Sequence, residues 1–243
     1  MVGVLESVKW GSPALNLLTH CQRLDAKLPA VMHIRHSERP RINNTDELHV
    51  HLNSRGREAA YEFGSRLTGS RRYRLYHSSF DRTRETAEEI ARGVLDAGGK
   101  AELVGALKLK TILNRERYDY YIERDFLDGD TVFSAIDYFN KWTSGRYPPD
   151  EILPSIELSR IGAKILNENL GPWDPQSMAI YVSHDTWVAA FQYHWFGIAP
   201  NHNWINFLDG FIFQPCRAKM IIYNKEGKKD LHYPHWWNVR SVD

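Results

Sequence analysis

Only 2 of the 243 residues are cysteine, Cys21 and Cys216. That is too few for a disulfide scaffold, and the pair lacks the spacing of a metal-ligating cluster, so a reducing, cytoplasmic setting is expected. An excess of one charge is also missing. Lys and Arg number 31 against 30 Asp and Glu, a net charge of +1, which leaves no basic surplus for general nucleic-acid or polyanion binding. Long hydrophobic runs are absent too. Trp187 to Ile198 falls short of a membrane span and contains Gln192 and His194. No basic residue precedes Lys9 and no long apolar block follows it, so the N-terminal stretch lacks the form of a signal peptide. Neither nucleic acid nor a membrane is therefore an expected partner. Internal repeats and low-complexity linkers are likewise lacking, which argues against solenoids and tethered arrays.

The hydrophobic fraction of 42% and the charged fraction of 25% suit a globular chain with its own core. The length fits a single domain over residues 1–243 with room for an insertion. Strand and helix patterns alternate. Residues 29–34 read as a buried strand that ends in polar residues. Asn53 or Ser54 caps a helix with Ala59, Ala60, Phe63 and Leu67 on one face, closed by Gly69. Tyr73 to His77 reads as a second strand. An amphipathic helix then carries Ala87, Ile90, Ala91, Val94 and Leu95 on one stripe and stops at Gly98-Gly99. Ala101 to Val104 forms a short strand. Further on, a helix from Pro154 to Leu170 stops at Gly171-Pro172, and a strand from Ser177 to Val182 precedes a helix from Asp185 to Phe196. Ile205 to Gln214 and Lys219 to Tyr223 read as strands, the latter followed by a turn at Asn224–Gly227. This alternation predicts an α/β fold, a three-layer α/β/α sandwich on a mainly parallel sheet. Residues 107–150, rich in Tyr, Arg and Asp, stand apart as an irregular or helical insertion over the site.

Three segments at strand ends carry the chemistry: Arg35-His36-Ser37-Glu38-Arg39-Pro40, Ser78 to Ala87, and Ser183-His184-Asp185-Thr186. Ligands of open α/β sheets bind beyond the carboxyl ends of the strands, so these segments should share one rim. Arginine forks fit phosphate oxygens and keep their charge. Helix N-termini add amide N–H groups aimed at an anion. A neutral histidine is a nucleophile, neighbouring arginines disfavour its imidazolium, and a carboxyl group can protonate a leaving oxygen. The combination points to phosphoryl transfer through a phosphohistidine, with arginines in place of a metal.

These residues resemble the histidine phosphatase superfamily, which includes phosphoglycerate mutases and histidine acid phosphatases. Arg35 and His36 match its Arg-His-Gly signature, with Ser37 in place of the glycine. Arg39 falls three residues after His36, as in the acid phosphatase branch, while Pro40 comes one residue early. Leu52 to Gly56 looks like the Leu-Thr-x-x-Gly element, and Ser78, Arg82, Thr86 and Ala87 match Ser-x-x-x-Arg-x-x-x-Thr-Ala. Ser183 to Thr186 looks like the His-Asp-Thr motif of the acid phosphatase branch, as do the closing strands near 205–223. The resemblance implies a phosphoglycerate mutase-like fold and a metal-independent phosphomonoesterase that needs no cofactor and takes a small phosphate ester. It makes His36 the phosphorylated nucleophile, Arg35, Arg39, Arg82 and His184 the phosphate pocket, and Asp185 the general acid. Glu116 is the competing proton donor. Ser37 is expected to narrow the pocket or to add a hydroxyl ligand. Alternatives are a mutase-type phosphotransferase using the same phosphohistidine, or a non-catalytic phosphate-binding scaffold. A metal-dependent His-Asp phosphohydrolase lacks a convincing ligand set.

Other conspicuous residues have plainer roles. His33, His49, His51, His77, His194, His202, His232 and His235 read as structural. Arg55, Arg57 and Arg84 read as solvated helix faces, and Arg71, Arg72 and Arg74 as a surface loop. Trp187, Phe191 and Trp195 form a core stripe. Tyr118, Tyr120 and Tyr121 could line a substrate cavity, and the aromatic cluster at His232–Trp237 reads as a packed tail or an interface.

Overall fold

The computed structural model describes residues 3–41, 47–67, 69–107, 109–125, 132–169, 174–216 and 219–237. Two N-terminal helices, α1 (Val4–Ser7) and α2 (Ser12–Cys21), lead into strand β1 (Ala30–Arg35). Then come α3 (Ser54–Ser65), β2 (Arg72–His77), α4 (Asp81–Asp96) and β3 (Lys100–Ala106). The insertion holds α5 (Arg115–Asp125) and α6 (Val132–Thr143). The chain continues through α7 (Ser155–Asn169), β4 (Ser177–Ser183), α8 (Asp185–Phe196), β5 (Gly210–Pro215), β6 (Lys219–Asn224) and β7 (Gly227–His232).

The seven strands form one sheet in the order β3-β2-β4-β1-β5-β6-β7. β1 to β4 run parallel, while β5 is antiparallel to β1 and continues into an antiparallel β5-β6-β7 meander. The sheet is therefore mixed rather than mainly parallel. The departure has a local cause: β5, β6 and β7 are joined by short connections, which suit antiparallel neighbours, whereas the parallel strands use helical crossovers.

Side chains alternate across the sheet. Ala30, Met32 and Ile34 of β1 join Met178, Ile180 and Val182 of β4 in a core packed by α1 to α4. Val31, Ala179, Tyr181, Phe211 and Phe213 face the other way, against α6, α7 and α8. The expected three layers are present. The stripe of Trp187, Phe191 and Trp195 lies in this second core, and so does Trp237, which makes the C-terminal cluster a packed tail.

Asn53 caps α3, its side chain accepting from the Gly56 amide, and Gly98 closes α4 with φ +80°. Leu95, expected on the buried stripe of α4, is exposed instead. The strand expected at Ile205–Gln214 begins only at Gly210, and β7 was not anticipated. The stop at Gly171-Pro172 and the end of the Pro154–Leu170 helix at Leu170 lie outside the described residues.

Candidate active site

The sheet register brings the three chemical segments together. Arg35 of β1 lies opposite Ser183 of β4, and His77 of β2 opposite Val182. The ladder runs one step further, the His36 amide donating to the Ser183 carbonyl and the Ser78 amide to the Val182 carbonyl. His36, Ser78 and His184 thus leave three adjacent strands at one rim, and α4 and α8 begin there.

His36 is buried, 2% exposed. Its Nδ1 faces the Ser37 carbonyl at 2.7 Å, and its Nε2 faces Arg82 Nε at 3.1 Å. A carbonyl can only accept and the guanidinium N–H can only donate. The ring is therefore the neutral Nδ1–H tautomer, with a lone pair on Nε2. Burial, then the charges of Arg82 and Arg35, hold the imidazolium form well below its ordinary range.

Arg82 is buried in the first turn of α4. Besides His36, it donates to the Glu47 carbonyl at 2.5 Å and to His184 Nδ1 at 3.4 Å. Its guanidinium lies 4.5 Å over the Phe80 ring. Burial and the charge of Arg39 bring its pKa down to about 10, so it stays cationic at neutral pH. His184 donates through Nε2 to Ser78 Oγ at 2.9 Å, and burial with Arg82 holds it neutral as well.

Arg35 is fixed from the opposite side. It donates to the Ile205 carbonyl at 2.7 Å, pairs with Asp185 at 3.2 Å and lies 4.6 Å over the Phe207 ring. Its buried Nε has no hydrogen-bond acceptor among the described residues, an orphan donor of the kind that an anion satisfies. Arg39 is half-buried, donates to the Pro40 carbonyl, and its charge reaches Arg82, His184 and Asp185. The six residues expected at the site therefore converge.

Asp185 opens α8. Its Oδ2 accepts from the Trp204 indole at 3.1 Å and its Oδ1 from the Thr186 amide at 2.8 Å. Burial alone would raise this carboxyl, but Arg35, Trp204 and Thr186 together hold it below its ordinary range. Glu116 is exposed on the first turn of α5.

Ser37 departs from both roles expected of it. Its hydroxyl donates to the Gly56 carbonyl at 2.7 Å and its amide to Thr86 Oγ1 at 3.0 Å. It braces the loop from behind instead of lining the pocket, and its backbone does not need a positive φ. Gly56 lies so close to the Glu38 backbone that a Cβ would clash there. Glu38 turns away from the anion site onto Arg55, with two bonds of 2.5 Å. Arg57 pairs with Glu85 and Arg84 with Asp81 and Glu88, so these arginines lie on solvated helix faces, as expected, and form ion pairs there. Arg71 donates to the carbonyls of Leu28, Asp25 and Pro175, and so ties the strand starts together. His33 is structural, as expected, bonded to Ser183 Oγ at 2.6 Å.

Of the three insertion tyrosines, Tyr121 packs in the core, Tyr120 is exposed, and Tyr118 feels the charges of Glu47, Arg115 and Asp185. Sequence reading missed Phe80, Trp204, Ile205 and Phe207. The last three sit in a segment whose apolar side chains mimic a strand. Among the described residues no group of three or more His, Cys, Asp or Glu side chains could hold a metal ion, and no helix is long and apolar enough to cross a membrane.

Residues 31–102 match the model of the histidine phosphatase superfamily, branch 1. That match supports phosphatase or mutase-like activity, and the acid phosphatase assignment drawn from the His-Asp-Thr motif finds no support in it. No protein of curated function matches the sequence. Among solved structures, Bacillus stearothermophilus YhfR is similar at 15% identity and a TM-score of 0.50, covering 83% of this chain and 94% of its own. A mycobacterial glucosyl-3-phosphoglycerate phosphatase is similar at 14% identity and a TM-score of 0.49, covering 84% and 96%. An Entamoeba histolytica phosphoserine phosphatase is similar at 17% identity and a TM-score of 0.46, covering 86% and 100%. The likeness to YhfR is a likeness of fold.

Proposed function

We propose, for a chain whose residues 31–102 match the histidine phosphatase superfamily, that it is a metal-independent phosphomonoesterase working through a phosphohistidine on His36. The observation that carries this reading is the orientation of one imidazole. Nδ1 is tied to the Ser37 carbonyl, so the Nε2 lone pair points at Arg82. A phosphoryl group placed between Nε2 and the arginines would meet a nucleophile already in its reactive tautomer.

Arg35, Arg39 and Arg82 supply the positive charge that stabilises the transferring group, as a metal would in other phosphatases. The backbone at the start of α8 adds donors at the same rim, and His184, bonded to Ser78 and facing Arg82, holds the clamp in place. Chelators should accordingly leave turnover unchanged. Nε2 attacks phosphorus and the bond to the leaving oxygen breaks. Water then attacks the phosphohistidine and returns the electron pair to Nε2. The proton-donor role expected of Asp185 sits poorly with its surroundings, because Arg35, Trp204 and Thr186 all favour its carboxylate. We assign Asp185 first to holding Arg35. The insertion, residues 107–150, serves as a cap whose α6 packs Phe139 against Trp204, with ring centroids 6.1 Å apart. The test is His36→Ala, which should abolish release of phosphate and leave the fold intact. Turnover within a few-fold of the unmodified protein refutes the reading.

A further inference from the structure

Building on that phosphohistidine reading, we infer that the substrates are aryl phosphate monoesters, whose leaving group is a phenol. Two independent features of the rim lead there.

The first is how the carboxyl groups are engaged. Asp185 is the carboxyl adjoining His184, and its two oxygens already accept from the Trp204 indole, the Arg35 guanidinium and the Thr186 amide. It is also the first residue of α8, where the helix dipole favours a negative charge. Every one of these partners stabilises the carboxylate and none stabilises the acid. Glu38 is locked to Arg55 by two hydrogen bonds. Glu85 accepts from the Leu52 amide and pairs with Arg57 and His51. Asp81 pairs with Arg84 and His49. Glu47 touches Arg82 through its backbone carbonyl. Asp185, Glu38, Glu85 and Asp81 are all held as carboxylates by these partners, so the carboxyl adjoining His184 has no proton to give a leaving oxygen. An alkanol, with a pKa near that of water at roughly 16, leaves badly without a proton. A phenol, at roughly 10, leaves readily.

The second is what surrounds the two histidines. The half-buried ring of Phe207 lies 5.8 Å from His36, and the half-buried ring of Phe80 lies 4.5 Å from His184. Each ring carries one clamp arginine on its face. Tyr118 of the insertion, packed against the second core, feels the charges of Glu47 and Asp185. A polyol leaving group calls for hydroxyl partners, whereas this mouth offers rings that suit a flat apolar group.

In the step itself, the bond from Nε2 to phosphorus forms as the phosphorus–phenol oxygen bond breaks, and phenolate leaves with the electron pair. Water then attacks phosphorus and the pair returns to Nε2. One proton of that water ends on the phenolate through solvent, leaving phenol and hydrogen phosphate.

The test compares phenyl phosphate with cyclohexyl phosphate, six-membered rings that differ in leaving-group acidity and flatness, on the purified full chain. Acetyl phosphate serves as a small donor to load His36. Phenyl phosphate should exceed cyclohexyl phosphate in kcat/KM by on the order of 10²–10⁴-fold, the contribution a positioned acid would otherwise make. Asp185→Asn should lower both in proportion. Rates for the two esters within about tenfold, with that factor absent, overturn the inference and reveal a working acid such as Glu47. A selective loss of cyclohexyl phosphate turnover in Asp185→Asn overturns it too, by making Asp185 that acid. Phosphorylation of His36 by acetyl phosphate but not by phenyl phosphate overturns the aryl inference and leaves the phosphohistidine reading standing. Phosphorylation by neither overturns both.

Discussion

Replacing Arg82 by alanine removes several interactions at once. The guanidinium donates to His36 Nε2 at 3.1 Å, to the Glu47 carbonyl at 2.5 Å and to His184 Nδ1 at 3.4 Å. In the transition state the donors facing His36 and His184 would turn to the phosphoryl oxygens. Loss of one preorganised donor costs about 2–4 kcal/mol of transition-state stabilisation. At about 1.4 kcal/mol per tenfold, that is roughly a 30- to 700-fold fall in kcat/KM. A second, opposing effect comes from charge. After burial, Arg82 is the largest influence that keeps His36 neutral, so its removal raises the imidazole pKa. The acid limb of the pH–rate profile, which should lie well below 6.5 in the unmodified protein, moves to higher pH. The assay is kcat/KM for phenyl phosphate from pH 4 to 8, together with inhibition by inorganic phosphate. Arg82→Lys should recover less than about a tenth of the loss, because a point charge cannot serve His36, His184 and Glu47 together. Full recovery by lysine, or an unchanged acid limb in Arg82→Ala, refutes this account of the clamp.

Three further outcomes follow from the geometry. Ser37→Gly should cost about 1–2 kcal/mol in chemical denaturation, from the lost bond to Gly56 and the added chain freedom, with kcat within a few-fold of the unmodified value; a large rise in kcat would show that the hydroxyl obstructs the pocket. Gly56→Ala should weaken phosphate inhibition, since its Cβ would push the Glu38 backbone and with it Arg39; unchanged inhibition would show that the loop gives way freely. His33 is held neutral down to about 3 by burial, whereas an unfolded histidine titrates near 6.5. Its folded pKa is the lower one, so the unfolded state binds more protons in this window. Its contribution to stability is full above about pH 6.5 and is lost at roughly 1.4 kcal/mol per pH unit on going down towards 3. His33→Gln should flatten that slope, and an unaltered slope would assign it to other groups.

Much of the site was legible because its residues sit where short local patterns end. The apolar run of β1 stops at Arg35, that of β4 stops at Ser183, and the periodic stripe of α4 starts beside Arg82. The motif positions also proved mechanical: Ser78 bonds His184, and Thr86 receives the Ser37 amide. What stayed hidden depends on contacts distant in sequence. Trp204, Ile205 and Phe207 look like strand residues, yet they form the loop that grips Arg35 and Asp185, with Leu208 turned to φ 54°. β7 is an edge strand, Gly-Lys-Lys-Asp-Leu-His, with one apolar residue, so no alternation marks it. The ion-pair partners of the solvated Arg55 and Arg57 stayed hidden because Glu38 and Glu85 are far along the chain. The direction of Ser37 Oγ was beyond any local pattern, because it is set by Gly56 on the next helix.

The central claim is covalent chemistry at one nitrogen, and rapid-quench mass spectrometry of the chain mixed with phenyl phosphate tests it most directly. The account predicts a single phosphoryl group on His36, labile in acid and stable in base, absent from His36→Ala and formed equally well in the presence of chelator. A phosphoryl group on any other residue, or steady phosphate release by His36→Ala, would contradict it.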